Sequence, residues 1–195
     1  MFVLFVTIYV GAGLIANDRR ANALPIYLSK PLGRAEYVAG KLAILLAFLL
    51  FVTWLPAMAL LGVQMLFSGS LEFVAQNLFL FPAITLLAAF QVLLASLTML
   101  ALSSLSTSSR YVGILYAGVV LFTDAMFQLL RAVSGGSMGA WVSVTVNLAQ
   151  VGDVIFRLPT RYETPWVVSA LVVVGLMALS IAVLERRVRA VEVVT

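Results

Sequence analysis

Few side chains in this sequence have the chemistry for catalysis or metal binding. The chain contains no His and no Cys, so it lacks the commonest general base near neutral pH, the thiolate nucleophile and the usual ligands of zinc. Asp124 is the only charged residue within a long apolar segment, and an ionisable group in such a place is a candidate for transport or catalysis. A position near the outer water interface, or a hydrogen bond to a neighbouring helix, explains a single carboxylate better. We favour these structural interpretations.

Two glutamines, Gln64 and Gln91, also lie within apolar segments. Together with Asp124 they could line a pathway, although polar groups within spans more often form hydrogen bonds between helices. The stretch GRAEYVAGK, residues 33–41, superficially resembles a phosphate-binding P-loop. A P-loop has four residues between its glycines and Ser or Thr after its Lys, whereas this stretch has six and is followed by Leu42. We therefore expect no nucleotide site, no metal site and no other cofactor in this chain.

The elements that must hold these groups are membrane spans. Hydrophobic residues make up 63% of the chain and charged residues 10%, whereas a soluble domain carries roughly 25% charged residues. Inside a bilayer every backbone N–H and C=O must be paired, so the spans are predicted to be helices of roughly 20 residues. The first apolar segment lacks the pattern of a signal peptide, because its positive charges follow the apolar core. We predict one all-α domain, a polytopic transmembrane helix bundle of about five spans near residues 1–16, 42–67, 75–102, 111–130 and 165–184.

The basic residues predict the orientation of the bundle, because Lys and Arg accumulate on the cytoplasmic side of membranes. With residues 17–41 placed inside, nine basic residues lie inside and three lie outside. This distribution predicts an external N-terminus and a cytoplasmic C-terminus. The external connection, residues 131–164, contains an apolar stretch whose first half alternates like a strand, while Leu148, Val151 and Ile155 have helical spacing. We favour an interfacial or re-entrant helix there.

The connection 17–41 carries seven of the twenty charged residues, interleaved with apolar ones. It is too apolar for a solvated linker and too charged for a span, so it should lie along the inner membrane face. A break near Pro31 should precede a helix that runs through Arg34 and Glu36 into the second span. The segment either rests on anionic lipid or docks a cytoplasmic partner. The candidate docking residues are Asp18, Arg19, Arg20, Leu24, Tyr27, Leu28, Lys30, Pro31, Arg34, Glu36 and Lys41.

The sequence GLIANDRRANALPIYLSKPLGRAEYVAGK, residues 13–41, resembles the signature of ABC-2-type ABC transporter permeases. The basic tail that begins at Glu185 is similar to the C-terminal tail of many of them. The resemblance implies a permease subunit of a bacterial inner-membrane exporter of unknown substrate. Its partners would be a second permease subunit and a separate cytoplasmic ABC ATPase that binds ATP and Mg²⁺. Residues 17–41 would form the amphipathic coupling helix that fits a groove on the ATPase. The family has six spans, so its first span is expected to be missing from this chain.

Three other functions are compatible with a multi-pass chain. A secondary transporter or channel predicts ionisable groups near the middle of the bilayer, of which Asp124 is the one example. An intramembrane enzyme would require a cluster of His, Asp, Glu or Cys residues, so we expect this chain not to be an enzyme. ATP hydrolysis is expected on the partner chain. A non-transporting anchor subunit makes no prediction that the sequence tests. The net charge of +4 comes from residues at the span ends, so we expect a lipid bilayer as a partner and no nucleic acid.

Overall fold

Helices make up the architecture of this protein, as the sequence predicts. The computed structural model describes residues 2–23, 33–69 and 75–189, and no strand occurs within those ranges. The helices are α1 (Phe2–Gly11), α2 (Gly13–Arg20), α3 (Arg34–Phe67), α4 (Leu80–Leu105), α5 (Ser109–Ser134), α6 (Val144–Ile155) and α7 (Trp166–Arg189), with a 3₁₀ turn at Met138–Val142 before α6. Within the described ranges, five helical segments are long and apolar enough to cross a membrane, with α1 and α2 together forming the first. The chain is therefore an all-α, multi-pass transmembrane bundle.

The first span is interrupted where a side chain from α4 contacts its backbone. α1 and α2 meet at Ala12, whose carbonyl accepts a hydrogen bond from the Ser103 hydroxyl at 2.9 Å. The same hydroxyl oxygen accepts hydrogen bonds from the N–H groups of Ile15 and Ala16, at 3.1 and 3.0 Å. A side chain that enters the backbone hydrogen-bond ladder is a recognised cause of helix kinks. Ser103 thus joins the first span to α4.

Close packing of the first span depends on Gly11. A Cβ atom at this position would lie 2.5 Å from Met99 Cγ and 3.0 Å from Leu45 Cδ2. Met99 and Leu45 are both fully buried, so neither side chain has open space to move into. The absence of a side chain at Gly11 therefore allows α1 to approach α3 and α4.

The predicted cytoplasmic connection is shorter in the structure than the sequence suggests. Residues 17–20 form the last turn of α2, and residues 34–41 form the first two turns of α3. The helix expected to run through Arg34 and Glu36 into the second span is present, and the Glu36 carboxylate accepts a hydrogen bond from the Gly33 N–H at 2.8 Å. The 34 residues of α3 extend roughly 50 Å at 1.5 Å per residue, well beyond a hydrocarbon core of about 30 Å. The candidate docking residues that lie outside the described ranges are Leu24, Tyr27, Leu28, Lys30 and Pro31.

The turn between α4 and α5 is also shorter than predicted. α4 covers residues 80–105, whereas a span was predicted near 75–102. Ser103 and Ser104, which fall between the predicted spans 75–102 and 111–130, lie buried in the last turn of α4. Their hydroxyl groups bond to backbone carbonyls inside the bundle, with Ser104 donating to Ala101 at 2.6 Å. These internal bonds allow the serines to remain helical.

After α5 the chain turns back into the bundle. Gly135 follows the last turn of α5 in the left-handed conformation, with φ of 69°, which glycine adopts without strain. The next residues return alongside α5, so that Ala140 lies buried in one cluster with Phe127. Ser143 then reaches Asp124, ten residues before the end of α5. The chain has therefore descended about 15 Å along α5 when α6 begins.

α6 runs from this point back toward the first residues of α4. Near its end, a Cβ atom on Gly152 would lie 3.2 Å from Leu87 Cδ2. Just beyond the helix, the Arg157 guanidinium carbon lies 5.0 Å from the centre of the Phe79 ring. The connection between α5 and α7 thus contains a helix, as favoured from the sequence. We call its course re-entrant because the chain turns back alongside α5 before α6 begins.

Two apolar clusters fill the interior of the bundle. The larger cluster joins the first span to α3, α4, α5 and α7, and its most buried members are Ile15, Ala16, Leu45, Leu49, Val92, Met99, Leu100, Val112 and Leu184. The smaller cluster holds the re-entrant segment against α5, where the rings of Phe127 and Tyr162 meet edge to face at 5.7 Å. Many other large apolar side chains point outward, as expected where lipid replaces water as the solvent.

Candidate functional site

A cavity of about 360 Å³ lies between the first span, α4, α5, α6 and α7. The polar residues that line it are Gln91, Thr98, Tyr116, Asp124 and Thr145. The remaining ten of its fifteen lining residues are aliphatic. We refer to this space as the Asp124 cavity.

Helical periodicity explains how the Asp124 cavity forms. On α4, Gln91, Leu94, Ala95 and Thr98 follow the i, i+3, i+4, i+7 spacing of one helix face, and all four line the cavity. Two of the three predicted pathway residues, Gln91 and Asp124, therefore share one cavity. The third, Gln64, is exposed near the end of α3 and is not among the lining residues.

Asp124 is bound to the beginning of α6. Its Oδ1 atom accepts hydrogen bonds from the hydroxyl groups of Ser143 and Thr145, both at 2.5 Å. Ser143 also caps α6, because its Oγ accepts a hydrogen bond from the Val146 N–H at 3.1 Å. The N-terminus of a helix carries a partial positive charge, which favours a carboxylate beside it. The bond to a neighbouring helix, one of the two structural explanations for Asp124, is thus present.

Three polar side chains, fully or almost fully buried, follow one face of α6 at positions 147, 150 and 153. Asn147 holds the start of the helix, because its Nδ2 donates to the carbonyls of Trp141 and Ser143 at 2.8 and 2.7 Å. Gln150 donates through Nε2 to the Thr164 carbonyl and accepts from Ser169 Oγ at 2.8 Å. These bonds join α6 to the 3₁₀ turn before it and to α7.

Asp153 completes this buried face. Its Oδ1 atom lies 2.9 Å from Arg161 Nη2, and its side chain is 2% exposed whereas that of Arg161 is 62% exposed. A buried carboxylate requires such a partner, since an unpaired charge is costly away from water. The sequence alone does not single out these three polar residues, although their spacing of three residues is helical.

The other polar region lies where α2, α3 and α4 meet. Asp18 Oδ2 accepts a hydrogen bond from the Tyr37 hydroxyl at 2.7 Å and lies 2.7 Å from Lys41 Nζ. Arg19 donates from Nη1 to the Ser104 carbonyl at the end of α4. Three of the candidate docking residues, Asp18, Arg19 and Lys41, therefore bind other parts of the bundle.

The remaining described docking candidates have different surroundings. Arg20 is exposed and lines a shallow depression with residues 107–110 at the α4–α5 turn. Glu36 is occupied at the first turn of α3, where it binds the Gly33 N–H. For Arg34 the structure gives the helical backbone position alone. Arg20 is thus the cation of this group best placed to meet a partner.

Charged residues are unequally divided between the two ends of the bundle. One end contains the last turn of α2, the first turns of α3, the α4–α5 turn and the last turns of α7. Its described charged residues are Arg19, Arg20, Arg34, Lys41, Arg110, Arg186, Arg187 and Arg189, with Asp18, Glu36 and Glu185. We call this the basic end. Towards the opposite end lie Arg131, Arg157 and Arg161, with Asp124, Asp153 and Glu163.

Comparison of the chain with protein-family models, with curated proteins and with solved structures finds no match. The Asp124 cavity and the basic end are therefore the features from which a function has to be inferred.

Proposed function

We propose that this chain is the membrane-spanning permease subunit of an ABC-2-type exporter, driven by a separate cytoplasmic ATPase. The observation that carries this proposal is the set of polar contacts around the connection between α2 and α3. Asp18 binds Tyr37 and Lys41, and Arg19 binds the Ser104 carbonyl. Residues 24–32 are thus flanked on both sides by residues fixed to the bundle.

Such an arrangement suits the transmission of force. A partner that moved residues 24–32 would act on α2 and α3 through the contacts of Asp18. It would act on α4 through Arg19 and through Ser103, which holds the backbone of the first span. Coupling of this kind requires connected elements with two arrangements that a partner can bias. The resemblance of residues 13–41 to ABC-2 permeases implies a coupling helix in the same segment.

The distribution of charge supports a cytoplasmic position for the basic end. Of the eleven Lys and Arg residues at described positions, eight lie at this end, and such an excess is typical of cytoplasmic loops. The proposed location is a bacterial inner membrane, with ATP and Mg²⁺ bound by the partner. A P-loop is absent from the sequence, which is why the energy source is placed on another chain.

The Asp124 cavity favours a second candidate function, secondary transport. In many secondary transporters the substrate site lies between spans, and the N-terminus of an interrupted helix points toward charged groups. α6 resembles such a helix, because it begins within the bundle and its N-terminus lies beside Asp124. The two candidates differ in their energy source, so an assay of partner and energy source separates them.

The test is purification of the full-length gene product from its native membrane in mild detergent. We expect an ABC ATPase, identified by mass spectrometry, to co-purify in a fixed ratio. The double variant Arg20→Glu with Lys30→Glu should lose the ATPase, because both charges belong to the candidate docking segment. Arg131→Glu, the same charge reversal at the opposite end, is the matched control and should retain it.

The choice of variants follows from the structure. Reversing Arg19 would also remove its bond to the Ser104 carbonyl, so a loss of binding could come from damage to the bundle. Arg20 is exposed and avoids this ambiguity. An intact complex without an ATPase, combined with uptake or efflux by proteoliposomes that depends on an ion gradient, would establish secondary transport instead.

A further inference from the structure

We propose that the Asp124 cavity binds an amphipathic organic cation, a mainly apolar molecule with one ammonium-type charge held by Asp124. The geometry that supports this proposal is a single carboxylate on the wall of a mainly apolar cavity between five helical elements. The inference that the cavity binds a cation depends on the residues of the cavity and not on the proposed exporter function. As a statement about the exported substrate, the inference rests on the proposed function.

The charge of the ligand follows from the surroundings of Asp124. Its Oδ1 atom accepts two hydroxyl hydrogen bonds, whereas its Oδ2 atom accepts none from the described part of the chain. No Lys or Arg is among the residues that line the cavity. Hydroxyl donors and a helix N-terminus interact favourably with a carboxylate, but neither carries a full positive charge that would pair with it. A cation that enters the cavity would supply the missing opposite charge.

The apolar character of the ligand follows from the cavity wall. Ten of the fifteen lining residues are aliphatic, and they come from all five surrounding elements. Ligand sites of this kind bury most of the molecule against apolar side chains and orient it with a few polar groups. Asp124 and Thr145 provide the polar groups at one place, and Gln91, Thr98 and Tyr116 provide others along the wall.

A bare metal ion fits the cavity less well. A hard cation such as Ca²⁺ requires six to eight oxygen ligands at about 2.3–2.6 Å. The polar residues of α4 that line the cavity, Gln91 and Thr98, are seven residues apart, which corresponds to about 10 Å along the helix. Their oxygens cannot converge on one ion beside Asp124. Among the described residues, no group of three His, Cys, Asp or Glu side chains is placed to hold a metal.

The test measures binding to the purified full-length chain in lipid nanodiscs, with empty nanodiscs as the background. The probe is dansylcadaverine, a fluorescent aromatic molecule with one alkylammonium group, and the comparison is its uncharged N-acetyl derivative. We expect saturable binding of the cation and at least about tenfold weaker binding of the acetylated molecule, because a close charge pair away from water contributes this much or more. Binding needs no ATPase, so this result is independent of the co-purification experiment.

Three variants locate the site. Asp124→Asn should weaken binding of the cation by about tenfold or more while leaving the acetylated probe unaffected. The amide oxygen can still accept the hydroxyl hydrogen bonds, which protects the fold. Glu163 lies outside the cavity, where its carboxylate accepts a hydrogen bond from the Ser137 N–H. Glu163→Gln should therefore leave the affinities for both the cation and the acetylated probe unchanged. Ala95→Leu adds volume to the cavity wall and should weaken both probes.

Each outcome decides the proposal. Equal binding of charged and acetylated probes, or equal affinity of wild type and Asp124→Asn, would mean that the cavity holds apolar molecules such as lipid chains, and would overturn it. Absence of saturable binding by the wild-type chain would overturn it as well. Binding with the expected charge dependence, together with failure to find an ATPase, would support the cation site and contradict the proposed exporter function. Size-exclusion profiles identical to wild type confirm that each variant is folded.

Discussion

At the scale of single residues, the Ser103 side chain links α4 to the backbone of the first span. Its hydroxyl bonds to the backbone of Ala12, Ile15 and Ala16 and is fully buried. We expect Ser103→Ala to destabilise the bundle by about 1–3 kcal/mol, because buried backbone groups lose a partner and water cannot replace it. The measurement is the free energy of unfolding in mixed detergent micelles.

Ser104→Ala is the matched control for this prediction. Ser104 is also buried, but within the described part of the chain its hydroxyl bonds only to the Ala101 carbonyl in its own helix. Ser104→Ala should therefore lower the free energy of unfolding clearly less than Ser103→Ala does. Equal effects of the two substitutions would show that the contact with the first span contributes nothing to stability.

The candidate site was only partly predictable from individual residues. Gln91 and Asp124 were recognised because polar groups are rare in apolar segments, and the structure places both in one cavity. Ser143 and Thr145, which bind Asp124, were not recognised. Serine and threonine are compatible with loops, caps and spans alike, so their role depends on a tertiary contact that one sequence does not reveal.

At the scale of elements, α6 is held by polar side chains rather than by its own apolar face alone. We expect Arg161→Gln to increase amide hydrogen exchange within residues 144–155, because Asp153 would then lack its ionic partner in a buried position. Exchange in α4 should not change. Hydrogen–deuterium exchange with mass spectrometry measures both regions in one experiment.

A second substitution tests the cause of this effect. Asp153→Asn combined with Arg161→Gln removes both charges and should restore a large part of the protection, since coupled residues are not additive. Arg131→Gln, which changes a surface charge near the end of α5, should have no effect. A double variant as labile as Arg161→Gln alone would exclude the ion pair as the cause.

The helices were predictable from the sequence more accurately than their ends. Long apolar runs predict the number of spans, because a helix pairs its own backbone N–H and C=O groups where no water is available in lipid. The ends depend on tertiary contacts: Ser103 and Ser104 remain helical since their hydroxyls find carbonyl partners. The strand-like alternation near Val144 has a similar origin. It crosses from the 3₁₀ turn through the cap Ser143 into α6, so one pattern covers two helical elements.

At the scale of the whole molecule, the two ends of the bundle differ in charge and in construction. The basic end is fastened by contacts between α2, α3 and α4, with Asp18 bound to Lys41 and Arg19 to the Ser104 carbonyl. The re-entrant α6 enters from the opposite end, and the Asp124 cavity lies beside its first turns, near the middle of α4, α5 and α7. The proposed substrate site between the spans and the proposed coupling connection at the basic end suit a transporter in which movement crosses the bundle, as alternating access requires.

The orientation of the bundle is testable because the chain contains no native Cys. Thr107, at the basic end, and Thr160, at the opposite end, are both exposed, so each can be replaced by Cys with little structural cost. In spheroplasts of a bacterial host, a membrane-impermeant maleimide should label Thr160→Cys immediately. It should label Thr107→Cys only after the membrane is permeabilised, because Lys and Arg accumulate on the cytoplasmic side. The reverse pattern would place the basic end outside, where no cytoplasmic ATPase could reach residues 24–32, and would exclude the proposed exporter.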